Sequence, residues 1–206
     1  MVAIIDYDAG NIRSVEKAVE YLGQECILTR DRELIEKADK VILPGVGSFG
    51  DAMEKLRRYG LDAVIGSVAK TGTPFLGICL GLQLLFEDSE ESPGIKGLGI
   101  LKGRIKRIPD TPGLKIPDIG WNSLKLKNNG RLFDGIGNNP FVYFVHSYYL
   151  EAEDASIVTA EIEYGTKIDA SVESGNIFAC QFHPEKSSEV GLKILDNFLK
   201  IKGKGN

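Results

Sequence analysis

Short apolar runs alternate with longer helical stripes along the first half of the chain. The runs are nearly continuous, which is typical of strands covered on both faces of a sheet. They span residues 2–6, 25–29, 40–45 and 74–78. Apolar residues between and after them recur at helical spacing, which predicts helices at 12–22, 51–58, 61–70 and 80–87. This alternation predicts an α/β fold built on a parallel sheet.

Short strand-like segments replace this alternation in the second half of the chain. Turn residues separate the segments, which span 104–108, 121–126, 141–152, 156–164, 168–174 and 177–183. A helical stripe at 189–200 follows them. The sequence contains no internal repeat and no linker rich in Pro, Gly or Ser. We therefore expect a single domain over residues 1–206, with a mostly parallel central sheet, helices on both faces and a β-rich second half.

Composition argues against several classes of protein. The chain has 206 residues, of which 43% are apolar, and a net charge of −4; this charge argues against a general nucleic-acid binder. The N-terminus lacks the basic leader of a signal peptide, and no apolar run approaches the ~20 residues that span a bilayer. Three cysteines without a CxxC pair indicate a reducing compartment, so we expect a cytoplasmic protein. With only two histidines and no Cys/His cluster, we expect no metal and no cofactor.

The segment "GICLG" supplies the first candidate for chemistry, Cys79. It follows a predicted strand, precedes a predicted helix, and has Gly77 and Gly81 two residues to either side. This is the spacing of a nucleophile elbow with cysteine in place of serine. A helix N-terminus also favours the thiolate. An unpaired cysteine is more often inert packing, which is how we interpret Cys26 and Cys180 within their apolar strands.

The segment "QFHPE" supplies a base for this nucleophile. His183 and Glu185 stand two residues apart where another strand is predicted to end. In an extended segment, such positions point to the same side, so the carboxylate would hold the imidazole and stabilise its charged form. Cys79, His183 and Glu185 therefore form a candidate nucleophile, base and orienting group. We interpret the other histidine, His146 in "YFVHSYY", as structural.

The glycine-rich loop "LPGVGSFG" at 43–50 also follows a predicted strand. Its glycines can adopt positive φ and turn backbone N–H groups toward an oxyanion. The N–H of Leu80, directly after the candidate nucleophile, is the second natural donor. A PGxG loop alone is a weak signal, but three such segments at strand ends strengthen one another.

Together these segments resemble the signatures of the class I (triad) glutamine amidotransferases. The signatures are P-G-x-G, G-[IVL]-C-x-G-x-Q and H-P-E, which occur here at 44–47, 77–83 and 183–185. The resemblance implies the amidotransferase fold and hydrolysis of the glutamine side-chain amide through a γ-glutamyl thioester. It also implies Gly47 and Leu80 as oxyanion donors. The substrate contacts that it implies are Gln83, Glu91, Ser147 and Tyr148.

Four stretches resemble one branch of that family, the amidotransferase subunits of imidazole glycerol phosphate synthases in histidine biosynthesis. They span 4–15, 43–53, 119–124 and 143–149. The resemblance implies a heterodimer with a (β/α)₈-barrel cyclase subunit that receives the ammonia internally. One departure is Asp118, where a histidine is more usual in this branch. The partner-interface residues that the resemblance implies are Asn11, Trp121, Asn122 and Lys186.

Two alternatives remain open at this point. The chain could serve a different synthase, such as one making anthranilate, aminodeoxychorismate or pyridoxal phosphate. The segments "DAGNIRSV" and "IGWNSL" favour the histidine pathway over these. A non-enzymatic or peptidase-like protein with Cys79 as a redox sensor is the alternative from another class. Such a protein would have no use for His183 and Glu185 at this spacing, nor for Gln83.

Overall fold

The computed structural model describes residues 1–10 and 12–203, and its first half alternates strands with helices. The strands are short, and the helices between them carry apolar stripes as predicted. The strands of this half are β1 (Val2–Ile5), β2 (Cys26–Thr29), β3 (Lys40–Leu43), β4 (Phe75–Ile78) and β5 (Asp88–Ser89). The helices are α1 (Ile12–Tyr21), α2 (Arg32–Lys37), α3 (Phe49–Arg58), α4 (Leu61–Thr71) and α5 (Leu80–Leu84).

The second half consists mainly of strands. These are β6 (Gly103–Arg107), β7 (Asp118–Ser123), β8 (Lys125–Leu126), β9 (Phe141–His146), β10 (Tyr148–Ala152), β11 (Val158–Glu163), β12 (Lys167–Ser174) and β13 (Ile177–Cys180). Short 3₁₀ turns occupy Arg131–Phe133, Ala155–Ile157 and Pro184–Lys186. The helix α6 (Ser188–Lys200) follows the last of these turns.

The large sheet joins the two halves of the chain. Its order is β2-β1-β3-β4-β13-β12-β10-β6-β5, and β11 pairs with both β12 and β8. The strands from β2 to β13 in this order run parallel to their neighbours. Beyond β13 the pairing with β12, β10 and β6 is antiparallel. The carboxyl ends of β3, β4 and β13 therefore meet at one edge, where ligands bind in open α/β sheets.

Helices cover both faces of this sheet. Alternate residues of β1 point into two separate cores: Ala3 packs with α3 and α4, while Ile4 packs with α1 and α6. This is the two-sided burial that a nearly continuous apolar strand indicates. The predicted fold class, an α/β sheet of mostly parallel strands with helices on both faces, is confirmed.

The main correction concerns the segment 141–152, which we predicted as one strand. It divides at Ser147: β9 pairs with β7 in a separate two-stranded sheet, whereas β10 joins the large sheet. The segment 121–126 divides similarly, at Leu124, between β7 and β8. The apolar pattern continues through both breaks, so it does not indicate that the chain passes from one sheet to the other. The helix predicted to reach residue 87 ends at Leu84.

One α-helix and one β-strand were not predicted at all. The helix α2 buries only Ile35, which is too few apolar residues to form a readable stripe. Asp31 caps its N-terminus, accepting the N–H of Leu34 at 3.0 Å. The strand β5 is two residues long and lies in an acidic run, so it carries no strand pattern.

Candidate active site

Cys79 lies at the carboxyl end of β4, in a tight turn between strand and helix. Its φ of 55° is in a region that non-glycine residues rarely adopt. Its N–H donates to the Cys180 carbonyl at 2.8 Å, which ties the turn to β13. A Cβ on Gly81 would lie 1.9 Å from the Leu43 oxygen, and a Cβ on Gly77 would lie 2.8 Å from the Gly81 oxygen. Both glycines are therefore required for close packing in this turn.

His183 and Glu185 lie beside this turn, just beyond β13. His183 Nδ1 lies 2.8 Å from Glu185 Oε1, and the two side chains are 3% and 2% exposed. We predicted that an extended segment would bring the two side chains together. The structure instead has a 3₁₀ turn over Pro184–Lys186 at this point. The Ser187 hydroxyl fixes the turn, since it donates to the His183 carbonyl at 2.6 Å and accepts the Tyr143 N–H at 2.9 Å.

The electrostatic environment keeps the His183 imidazole charged at neutral pH. Burial lowers its pKa, but interactions with Cys79 and Glu185 outweigh burial and raise the pKa from 6.5 to about 9. His183 Nε2 is buried and has no partner at hydrogen-bonding geometry among the described residues. The imidazolium is thus held by Glu185 on one side, and its second nitrogen is available for proton transfer.

Glu185→Gln should move the alkaline limit of activity toward neutral pH. The pKa of His183 is about 9 in the folded chain, above its ordinary value of 6.5 in the unfolded chain. The charged imidazole therefore stabilises the fold to its full extent below pH 6.5, and this stabilisation is lost as the pH rises through about 9. An amide cannot stabilise the imidazolium as a carboxylate does, so the pKa of His183 should fall. The pH profile of kcat/KM for glutamine measures this limit.

The exposed residue Glu163 offers a matched control for this experiment. Glu163→Gln makes the same chemical change at the end of β11, outside the cavity, and should leave the profile unchanged. Identical alkaline limits in Glu185→Gln and the unmodified chain would contradict the orienting role of Glu185.

A cavity of about 330 Å³ opens beside Cys79, within the range of small-molecule sites. Glu185 lies behind His183 and does not line it. A wider groove of about 910 Å³ beside α6 contains none of the candidate catalytic residues, so size alone would misplace the site. The predicted residues that line the smaller cavity are Gly47, Cys79, Leu80, Gln83, Glu91, Ser147, Tyr148 and His183.

A chain of amides connects the cavity wall to the thiol. Gln83 Nε2 donates to the Tyr148 carbonyl and to Gln181 Oε1, both at 3.0 Å. Gln181 Nε2 in turn donates to Cys79 Sγ at 3.7 Å. Sequence analysis missed Gln181, although it stands two residues before His183 in "QFHPE", a spacing that could have singled it out. The Gln83 side-chain nitrogen is thereby engaged within the protein.

The predicted oxyanion donors are not both free in this conformation. The Leu80 N–H donates to the Gly45 carbonyl at 3.3 Å. Tyr7, which we did not predict as a site residue, donates its hydroxyl to the Pro44 carbonyl at 3.0 Å and so holds the same loop. Gly47 has a φ of 97°, which suits a loop able to reorient its N–H groups. In this conformation the Leu80 N–H is therefore engaged within the loop.

Glu91 also has a second role in the fold. Its Oε2 accepts the Phe49 N–H at 2.8 Å, at the start of α3. One carboxylate oxygen is thereby fixed, and the carboxylate is held at the cavity wall. The acidic run around Glu91 is thus anchored at this point.

The residues predicted at a partner interface differ in accessibility. Trp121 is 49% exposed and packs edge-on against Tyr143 with ring centroids 6.1 Å apart. Lys186 is exposed directly after Glu185. Asn122 is half-buried and donates to Asp118 Oδ2 at 2.8 Å, so its amide is engaged within the chain. Asn11 lies outside the described residues.

Comparison with known proteins defines the class of this site. The family model for class-I glutamine amidotransferases matches residues 3–201. The chain therefore belongs to the class-I glutamine amidotransferase family, and the predicted enzyme class is confirmed.

Curated relatives resemble the chain over nearly its whole length. The imidazole glycerol phosphate synthase subunit HisH of Methanocaldococcus jannaschii is 49% identical over 98% of this chain and 100% of the relative. The subunit of the same name from Bacillus cereus is 50% identical over 96% of this chain and 93% of the relative. These subunits agree with the branch that the four sequence stretches indicate.

Solved structures share the fold at lower sequence identity. A crystal structure of a glutamine amidotransferase has a TM-score of 0.75 at 22% identity, covering 96% of this chain and 99% of that one. The structure of PurLQS from Thermotoga maritima has a TM-score of 0.75 at 25% identity, with 96% of each chain covered.

Among the described residues, none of the helices has the length and apolar character needed to cross a membrane.

Proposed function

We propose that the chain acts as the glutaminase subunit of an imidazole glycerol phosphate synthase and passes ammonia to a separate cyclase subunit. The observation that carries this proposal is that Cys79 and His183 line one cavity while Glu185 contacts His183 from behind. Identity near one half to HisH subunits over almost the whole chain supports the choice of pathway. We propose that residues 1–206 form one amidotransferase domain working in the cytoplasm.

The first half of the reaction forms the thioester. The Cys79 thiolate attacks the side-chain carbonyl carbon of glutamine, and the carbonyl π electrons move to the oxygen. As the oxyanion collapses, the carbon–nitrogen bond breaks. His183 Nε2, protonated in the resting site, gives its proton to the departing nitrogen, so ammonia leaves as the neutral molecule.

The second half releases glutamate. Neutral His183 takes a proton from water as the water oxygen attacks the thioester carbon. Collapse of this second intermediate breaks the carbon–sulfur bond and expels the Cys79 thiolate. The thiolate and imidazolium are thereby restored, and Glu185 holds the ring in place throughout.

The oxyanion loop provides a reason for partner control. With the Leu80 N–H bound to the Gly45 carbonyl, an oxyanion lacks a donor that is worth on the order of 10²–10³ in kcat in comparable enzymes. We propose that partner binding shifts the 43–50 loop and frees this N–H. The isolated chain would then hydrolyse glutamine slowly, which avoids wasting ammonia.

An exposed apolar surface near the cavity suits a docked partner. We call it the β7–β9 face, and it consists of Ile119, Trp121, Phe141 and Tyr143. Ile119, Trp121 and Phe141 are 61%, 49% and 58% exposed. Large aromatic side chains of this kind are enriched at the centres of protein interfaces.

Free ammonia would become protonated in water, so transfer through a docked interface is physically expected.

Glutamate release in the presence and absence of the barrel cyclase and its nucleotide substrate tests the proposal. We expect strong stimulation by the liganded partner because the loop is otherwise closed to the oxyanion. Equal rates under both conditions would overturn the proposed partner control.

Trp121→Ala should raise the partner concentration needed for half-maximal stimulation by about tenfold or more. Tyr21→Ala is the matched control, since Tyr21 is 77% exposed at the end of α1 and lies outside the β7–β9 face. Titrating the partner against a fixed amount of each variant measures the effect. Equal shifts for both variants would rule out docking at this face.

A further inference from the structure

A second buried acid–histidine pair lies at the cavity, and its histidine, His146, is one of the residues that line the cavity. Asp118 and His146 face each other across the β7–β9 pairing. Both side chains are 3% exposed, and His146 Nε2 lies 3.7 Å from Asp118 Oδ2. This nitrogen has no hydrogen-bond partner within the described part of the chain. A buried polar atom without a partner is costly, so the arrangement requires an explanation.

The opposite nitrogen determines the tautomer of His146. Nδ1 lies 2.9 Å from the Tyr148 carbonyl oxygen. A carbonyl can only accept, so Nδ1 must carry a proton. In the neutral ring, Nε2 is then a bare acceptor that faces the Asp118 carboxyl group.

The surroundings favour the neutral form of both partners. Burial, opposed by the Tyr148 carbonyl and assisted by the nearby His183, lowers the pKa of His146 from 6.5 to about 4. Burial raises the pKa of Asp118, with Asn122 opposing. Tyr164 also interacts with Asp118, and burial and that carboxyl group raise the pKa of Tyr164. A charged imidazole here would be buried beside a second imidazolium.

We propose that Asp118 and His146 are a positioning pair for the glutamine pocket, with the Asp118 carboxyl group protonated and donating to His146 Nε2. This bond requires the two atoms to close from 3.7 Å to about 2.8 Å. The pair fixes the His146 ring, and the ring holds the Tyr148 carbonyl that also accepts from Gln83. Its effect on glutamine binding rests on the proposed function.

The position of the pair connects two regions of the molecule. Asp118 begins the strand that presents Ile119 and Trp121 on the β7–β9 face. His146 lines the cavity together with Ser147 and Tyr148. The pair therefore lies between the docking surface and the pocket.

Kinetics of Asp118 variants in the complex with the cyclase test the positioning role. Asp118→Asn should keep KM for glutamine within about threefold, because an amide nitrogen in the place of Oδ2 can donate to Nε2 and, once the Asn122 amide is reversed, also to the Asn122 side-chain oxygen. Asp118→Ala should raise KM about tenfold with a smaller change in kcat, because Nε2 loses its donor and the Tyr148 carbonyl is less firmly held. Equal losses in both variants would overturn the role of a neutral donor.

Nitrogen-15 NMR of the histidine rings in the isolated chain tests the pair without relying on catalysis. The chain has two histidines, so His183→Asn leaves only the His146 ring to observe. We expect a neutral ring protonated at Nδ1 throughout pH 5–8, and a displaced Nε2 signal in Asp118→Ala. A ring that is charged at pH 7 would overturn the pair. If the NMR result is as expected but the cyclase does not stimulate glutamine hydrolysis, the pair is supported and the proposed function is overturned.

Discussion

Cys79→Ala is expected to lower glutamine-dependent turnover by at least about 10⁴-fold, the scale of loss when a covalent nucleophile is removed. Cys79 is the cysteine that lines the cavity together with His183, and alanine cannot form the thioester. Glutamate release by the chain in complex with the cyclase measures the loss. Synthesis driven by added ammonium salt should be unaffected, because it bypasses the nucleophile.

Cys26→Ala is the control for this substitution. Cys26 is half-buried on β2, outside the cavity, and its thiol contacts the Glu16 carbonyl. This variant should retain glutamine-dependent turnover. Retained glutamine hydrolysis in Cys79→Ala would exclude the thioester mechanism. Loss of the ammonium-driven reaction would instead indicate a failure to fold or assemble.

Gly81→Ala is expected to destabilise the fold by about 3 kcal/mol or more. The added Cβ would lie 1.9 Å from the Leu43 oxygen and 2.9 Å from its carbonyl carbon, both backbone atoms of the neighbouring strand β3. Relief of this clash requires β3 and the turn that carries Cys79 to separate. Chemical denaturation of the purified variant gives the free energy of unfolding.

Gly66→Ala supplies the matched comparison. Gly66 lies within α4, and an added Cβ there would meet no atom within 4 Å. Alanine at this helical position should stabilise the chain by about 0.5–1 kcal/mol. The two glycines should therefore respond with opposite signs. Equal and small changes in both variants would show that the close packing at the turn does not limit stability.

Much of the architecture follows from the sequence because buried parallel strands leave a clear pattern. The apolar runs at 2–6 and 40–45 correspond to β1 and β3, and the stripe after the first run corresponds to α1. The candidate chemistry was equally readable at strand ends. Cys79 and His183 are far apart in the chain, but β4 and β13 are parallel neighbours, so their carboxyl ends bring these residues together.

The sequence by itself determined the α/β class, the alternation of strands and helices that begins the chain apart from α2, and the candidate nucleophile and base. Only the tertiary structure decided which sheet each strand joins. The division at Ser147 is an example, since apolar alternation records which side is buried and not which partner strand is present. The engagement of Leu80 with Gly45, the bridge through Gln181 and the pairing of Asp118 with His146 were likewise decided there. Each joins residues whose chemistry depends on distance in space, and distance in space is not encoded in any local spacing along the chain.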